Sequence, residues 1–165
     1  MNATYPHAWQ IWNPAKCGMS SDDIGIDVLM PHTGDQCLVS FQDADGVNDD
    51  WLISPAITVG TDNVVSFKAR AADQYEERFM VYITEKLDNP GTDDFKRIDK
   101  GNYESVDHRG WHDCTYDLSQ YAGRKVKIAI RYISCYNIHR SFMLMVDDFY
   151  VGEPAVSYTH LRAHE

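Results

Sequence analysis

Alternation is the feature that most constrains this chain. Along residues 63–71, Val65, Phe67 and Ala69 stand opposite Ser66, Lys68 and Arg70. Along 125–132, Val126, Ile128, Ile130 and Tyr132 stand opposite Lys125, Lys127 and Arg131. A period of two sends one set of side chains to a core and the other to water, as half-buried antiparallel strands require. Further short β-branched or aromatic runs at 37–41, 51–54, 78–84, 95–98, 111–118 and 142–151 each end in Gly, Asn, Asp or Pro, and the run from 125 extends to 134. Helical periodicity is scarce. Glu76, Glu77, Arg78, Glu85 and Lys86 would suit a helix by propensity, but the β-rich Phe79–Thr84 lies between them and Asp88-Asn89-Pro90-Gly91 closes the segment with a turn. The spacing predicts an all-β fold, an antiparallel β-sandwich of the jelly-roll, galactose-binding-like type. Residues 1–36, with Trp9 and Trp12, are expected to hold one strand and a long loop.

Charge and composition then exclude whole classes. The formal net charge of −10 argues against a nucleic-acid or anionic-membrane partner, which needs a basic surface, and leaves room for cations. No apolar stretch approaches the ~18 residues of a spanning helix, so no membrane insertion is expected. A hydrophobic fraction of 44% with 12% aromatics marks a chain that folds. The start, MNATYPHAW, lacks the charged and apolar regions of a signal peptide, and its abruptness suggests a fragment of a longer secreted or cell-surface chain. Residues 1–153 are expected to form one domain. Residues 154–165, PAVSYTHLRAHE, change character abruptly and are expected to be a non-native or disordered tail.

Four spaced elements carry a family resemblance: Asp49-Asp50-Trp51-Leu52-Ile53-Ser54-Pro55-Ala56-Ile57; Val64-Val65-Ser66-Phe67-Lys68-Ala69-Arg70; Trp111 with Tyr116-Asp117-Leu118-Ser119, Tyr121-Ala122-Gly123 and Val126–Tyr132; and Phe142-Met143-Leu144-Met145-Val146-Asp147-Asp148-Phe149-Tyr150-Val151. Over residues 37–152 the chain resembles the cleaved adhesin domain, the hemagglutinin/adhesin module of gingipain-type proteases and of many Bacteroidetes surface proteins. It is more distantly similar to MAM and choice-of-anchor modules. Residues 17–35 have no pattern that aligns. The resemblance implies a non-catalytic adhesin or binding module that contacts glycans or host surface proteins through its loops, as one domain of a larger chain. The alternative is a structural accessory domain of a secreted hydrolase or protease, with no ligand of its own.

The resemblance also implies a structural calcium held between an N-terminal acidic loop and a carboxylate of the last strand. Asp147 would take the second role, with Asp43, Asp45 or Asp50 opposite. The residues themselves fit this in part, because residues 43–50 crowd carboxylates and an amide around Gly46, and Ca²⁺ takes six to eight oxygens. The bland reading is a solvated turn, with one of Asp147 and Asp148 facing water and the other bonded to backbone or Arg.

For a ligand, aromatic, amide, imidazole and guanidinium groups converge at Tyr136, Asn137, His139 and Arg140. Tyr75 with Arg70 and Arg78, and Tyr103 with Trp111, sit at other strand ends. Sugar sites combine such platforms with polar groups, although the same residue types line any sandwich rim.

No catalytic constellation is legible. His108 and His112 have a helical metal spacing, but Gly110 denies the helix. Glu76-Glu77 and Asp93-Asp94 are adjacent pairs that a strand would split between faces. The four cysteines allow Cys17–Cys37 with Cys114–Cys135 among other pairings, or buried free thiols, and alternation puts Cys114 inward and Cys135 on the opposite face.

Overall fold

A computed structural model describes residues 10–12, 30–34, 37–43, 48–135 and 140–154. The strands are β1 (Gln10–Trp12), β2 (Leu38–Phe41), β3 (Asp50–Ile53), β4 (Ile57–Thr58), β5 (Val64–Ala71), β6 (Glu77–Thr84), β7 (Lys96–Arg97), β8 (Glu104–Val106), β9 (His112–Asp117), β10 (Lys125–Tyr132) and β11 (Met143–Gly152). They form two antiparallel sheets among the described residues. One is seven-stranded, ordered β1-β3-β10-β6-β7, with β4 beside β10 and β8 beside β6; the other is four-stranded, ordered β2-β11-β5-β9. This is the all-β sandwich that the alternation predicts. The segment with helical charges is strand β6, because Phe79, Val81 and Ile83 all enter the core. The two-residue β4 and the short β8 were not expected, being too brief to show a period.

The inner faces bury Val65, Phe67, Phe79, Val81, Ile128, Ile130, Leu144 and Val146. A second cluster packs on the outer face of the larger sheet, where Trp51, Ile53 and Ala129 meet Tyr82 and Phe95. Strict alternation in β3 causes the split: Leu52 joins the main core while Trp51 and Ile53 point the other way. Pro55 ends β3's ladder for want of an N–H. The neighbouring Ser54 repairs the gap, its N–H donating to the Ile128 carbonyl and its Oγ accepting the Ile128 N–H.

One irregularity positions everything after it. Between β11 and β5, Asp147 faces Lys68 and Tyr150 faces Ser66, so the pairing shifts by one residue between them. Asp148 is the inserted residue, held at φ 50. A bulge of this kind re-aims the side chains that follow. Phe149 therefore turns inward and stacks on Phe67, Val151 packs on the core, and Tyr150 is 50% exposed on the outer face.

Candidate functional site

The loops at one end of the sandwich are tied to each other by backbone bonds. The Ala71 N–H donates to the Asp107 carbonyl and the Ala72 N–H to the Met143 carbonyl, so the turn bearing Tyr75, the connection after β8 and the start of β11 meet. Beneath them lies Glu77, fully buried. Its Oε1 accepts the Phe142 and Met143 N–H groups at 2.6 and 3.0 Å, and its Oε2 accepts the Tyr132 hydroxyl at 2.7 Å. Glu76-Glu77 thus splits between faces as a strand demands, but the inward member is a loop anchor and not a solvated charge.

Above this anchor the end is rich in arginine and aromatic groups. The Arg78 guanidinium lies 4.4 Å from the centre of the Tyr103 ring, an attraction between cation and ring quadrupole. Arg70 is the last residue but one of β5, opposite Met145. The Nε atoms of Arg70 and Arg78 are buried without an acceptor among the described residues. Arg140 occupies the left-handed region at φ 49, three residues before β11. Asp107 accepts the Arg109 N–H and side chain and bonds His112 at 2.9 Å. These contacts, the backbone bond first, pull its carboxyl down to about 2. Arg70, Tyr75 and Arg140 therefore share one end, whereas Tyr136, Asn137 and His139 lie outside the described residues.

The acidic residues do not converge. Asp43 follows β2 at the end where Phe41 pairs with Met143, while Asp147 lies beyond Val146, which pairs with Leu38. Asp43 and the far end of β2, at Leu38, are separated by roughly 17 Å at ~3.3 Å per residue. Asn48 ties the first group together, its Oδ1 accepting the Asp43 N–H and its Nδ2 donating to Asp50 Oδ2, which also accepts the Ser40 hydroxyl. Asp45 lies outside the described residues.

Asp147 instead clamps the segment at 30–34. Its Oδ2 accepts the His32 and Thr33 N–H groups at 2.8 and 3.1 Å, and its Oδ1 accepts the Asp148 N–H at 2.7 Å. Asp148 bonds His32 Nδ1 at 2.5 Å and accepts the Thr33 hydroxyl, contacts that hold its carboxyl below the usual range. Every carboxylate oxygen here is already satisfied by a protein donor. Among the described residues no three metal-ligating side chains gather, and Asp43 and Asp147 stand too far apart along β2 to share one ion.

Nor do Cys37 and Cys114 offer a nucleophile. Burial pushes the Cys114 thiol up to about 12, and burial with the Asp147 carboxylate also raises Cys37. Both are free, as the alternative of unpaired thiols has it, so neither of the two pairings considered is formed by them. Cys135 is buried as well as Cys114, because the chain leaves β10 after Tyr132 and the strand alternation no longer applies to it. His112 is engaged with Asp107, away from any metal pairing with His108.

Besides Glu77, the residue that sequence reasoning missed is Tyr150. A regular strand with Val146 inward would bury it, and only the consecutive Asp147-Asp148 hints at an inserted residue.

Comparison with known proteins supports the fold. No family model and no curated protein matches the sequence. Among solved structures, the K2 cleaved adhesin domain of Lys-gingipain matches with a TM-score of 0.64 at 21% identity, over 86% of this chain and 89% of that one. The K3 domain of Lys-gingipain from Porphyromonas gingivalis W83 matches with a TM-score of 0.59 at 17% identity, over 88% and 91%. The carbohydrate-binding module TmCBM61, solved with β-1,4-galactotriose, matches with a TM-score of 0.56 at 11% identity, over 88% of each chain. At these identities the likeness is one of architecture.

Proposed function

We propose that this chain is a non-catalytic, adhesin-like module that binds glycans through the loop end built on Glu77, within a larger secreted or cell-surface protein of the cleaved-adhesin kind. The observation that carries the reading is the Arg78–Tyr103 pair at 4.4 Å. It joins a stacking surface and a multidentate donor on the outer face of the larger sheet, near the end of β6 from which the turn bearing Tyr75 leads, the combination that orients a hydroxyl-rich ligand. The architecture shared with an oligosaccharide-bound module and with adhesin domains supports it. The described residues favour recognition over reaction, since Glu77, Asp107, Asp147 and Asp148 are engaged in anchoring loops and two thiols are held protonated.

Glycan-array screening followed by calorimetry tests the reading. The expected result is binding that weakens about tenfold or more in Tyr103→Ala, with an unchanged melting temperature. Binding unaffected by Tyr103→Ala and by Arg140→Ala would remove the loop end from the function. The calcium proposal belongs to the 43–50 loop, without Asp147. A melt of EGTA-treated protein that rises with millimolar Ca²⁺, and rises equally in Asp147→Ala, is its expected signature. No rise would discard calcium altogether.

A further inference from the structure

The outer face of the four-stranded sheet carries a second surface, remote from the loop end. It is a groove of about 340 Å³ lined by Ser66, Asp113, Thr115, Tyr150, Glu153 and Pro154, within the usual range of about 300–1,000 Å³ for small-molecule sites. Its side chains share one face by register. Tyr150 faces Ser66, Ser66 faces Thr115, and Asp113 faces Lys68, so three strands contribute one row each.

Tyr150 is built into this face rather than left loose on it. A Cβ on Gly152 would stand 2.1 Å from the Tyr150 Oη and 2.4 Å from Cζ, so the ring leans along its own strand over the bare α-carbon. The hydroxyl also meets the Glu153 carbonyl at 3.3 Å. The Asp148 insertion brings the ring to this side of the sheet. Three separate features, a bulge, a glycine and a hydrogen bond, thus present an aromatic that remains 50% exposed.

We propose that this groove is a second glycan subsite, taking a neutral oligosaccharide whose pyranose ring packs on Tyr150. The flanking Ser66 and Thr115 hydroxyls and the Asp113 and Glu153 carboxylates accept hydrogen bonds from sugar hydroxyls. Charge decides the class of glycan. Lys68 is already paired with Asp113 at 2.7 Å, and Glu153 adds a further carboxylate on a chain of net charge −10. A uronate or sialate would meet repulsion here, whereas a neutral sugar meets acceptors. The inference rests on the reading of the chain as a glycan-binding module.

The test is titration of the ¹⁵N-labelled protein with neutral β-1,4-galactotriose and with trigalacturonic acid. Wild type should show amide shifts at Ser66, Thr115 and Gly152 with the neutral sugar and not with the acidic one. Tyr150→Ala and Gly152→Ala, the latter displacing the ring without removing it, should each weaken binding at these amides by about tenfold. Tyr150→Phe, which keeps the stacking surface, should bind within about twofold of wild type. Shifts confined to the loop end, lost in Tyr103→Ala and kept in Tyr150→Ala, would overturn the second subsite and leave the proposed function standing. No shift with either sugar, together with a blank glycan array, would overturn both.

Discussion

Glu77 and the Asp147-Asp148 pair perform the same task at different depths. Each gathers backbone N–H groups and a hydroxyl from a segment distant in sequence, Glu77 from 132–143 and the aspartates from 32–33. Glu77 is sealed in the sandwich, where water cannot replace a lost acceptor. Asp147 and Asp148 stand at a partly exposed face, where it can. Geometry alone would rank the two clamps alike; burial sets their energetic weight.

Breaking the buried clamp gives the largest expected effect. Glu77→Ala strands the Phe142 and Met143 N–H groups and the Tyr132 hydroxyl, at a cost of about 3–5 kcal/mol. The melting temperature should fall by roughly 10 °C in a chain of this size. Glu77→Gln keeps one acceptor oxygen and should lose less than half as much. If Glu77→Ala melted within about 2 °C of wild type, the argument from burial would fail.

Asp147→Ala removes the acceptor of three N–H groups, those of His32, Thr33 and Asp148, that water can reach, and should cost about 1 kcal/mol, read as a fall of about 2–4 °C. Deleting Asp148 sharpens the contrast further. Removal of the inserted residue lets Phe149 face Phe67 and Tyr150 face Ser66 in an unbroken ladder. The core should therefore survive, and the melting temperature should change less than in Asp147→Ala. A collapse on deletion would mean that the bulge shapes the core itself, and not only the 30–34 segment.

What was legible in the sequence follows the same division. The regular strands showed themselves because Val65, Phe67 and Ala69 must alternate with Ser66, Lys68 and Arg70 to have one wet face. The turn at Asp117 is likewise held by local chemistry: Asp117 accepts both the N–H and the hydroxyl of Ser119. Glu77 was not legible, since nothing beside it in the chain announces that Tyr132 and Met143 will supply its donors. Tyr150 was hidden by the Asp148 insertion, which reverses the alternation that residues 142–147 obey. The partnership of Asp147 with His32 joins residues 115 apart, a separation that no local pattern encodes. Of the expected loop-end residues, Arg70, Tyr75 and Arg140 were legible as strand-end positions, but their common end depends on the 71–107 and 72–143 backbone bonds.

A pH series makes the smallest and most selective test, at a third exposed clamp. Asp107 is held at about 2 against an ordinary 3.8, chiefly by the Arg109 N–H and then by His112. A carboxyl depressed in the folded state binds protons more readily once unfolded. Its contribution is therefore complete above about pH 4 and is lost as pH falls through about 2. The melting-temperature gap between wild type and Asp107→Asn should close as pH falls from about 4 to about 2. Glu77, Asp147 and Asp148 are present in both proteins, so their own titrations largely cancel in that difference. A gap that persisted unchanged to pH 2 would show that Asp107 acts on the loop by shape alone. A gap that closed would extend the rule to a clamp lying beside the Arg78–Tyr103 rim, where water tempers the energy but leaves the geometry in place.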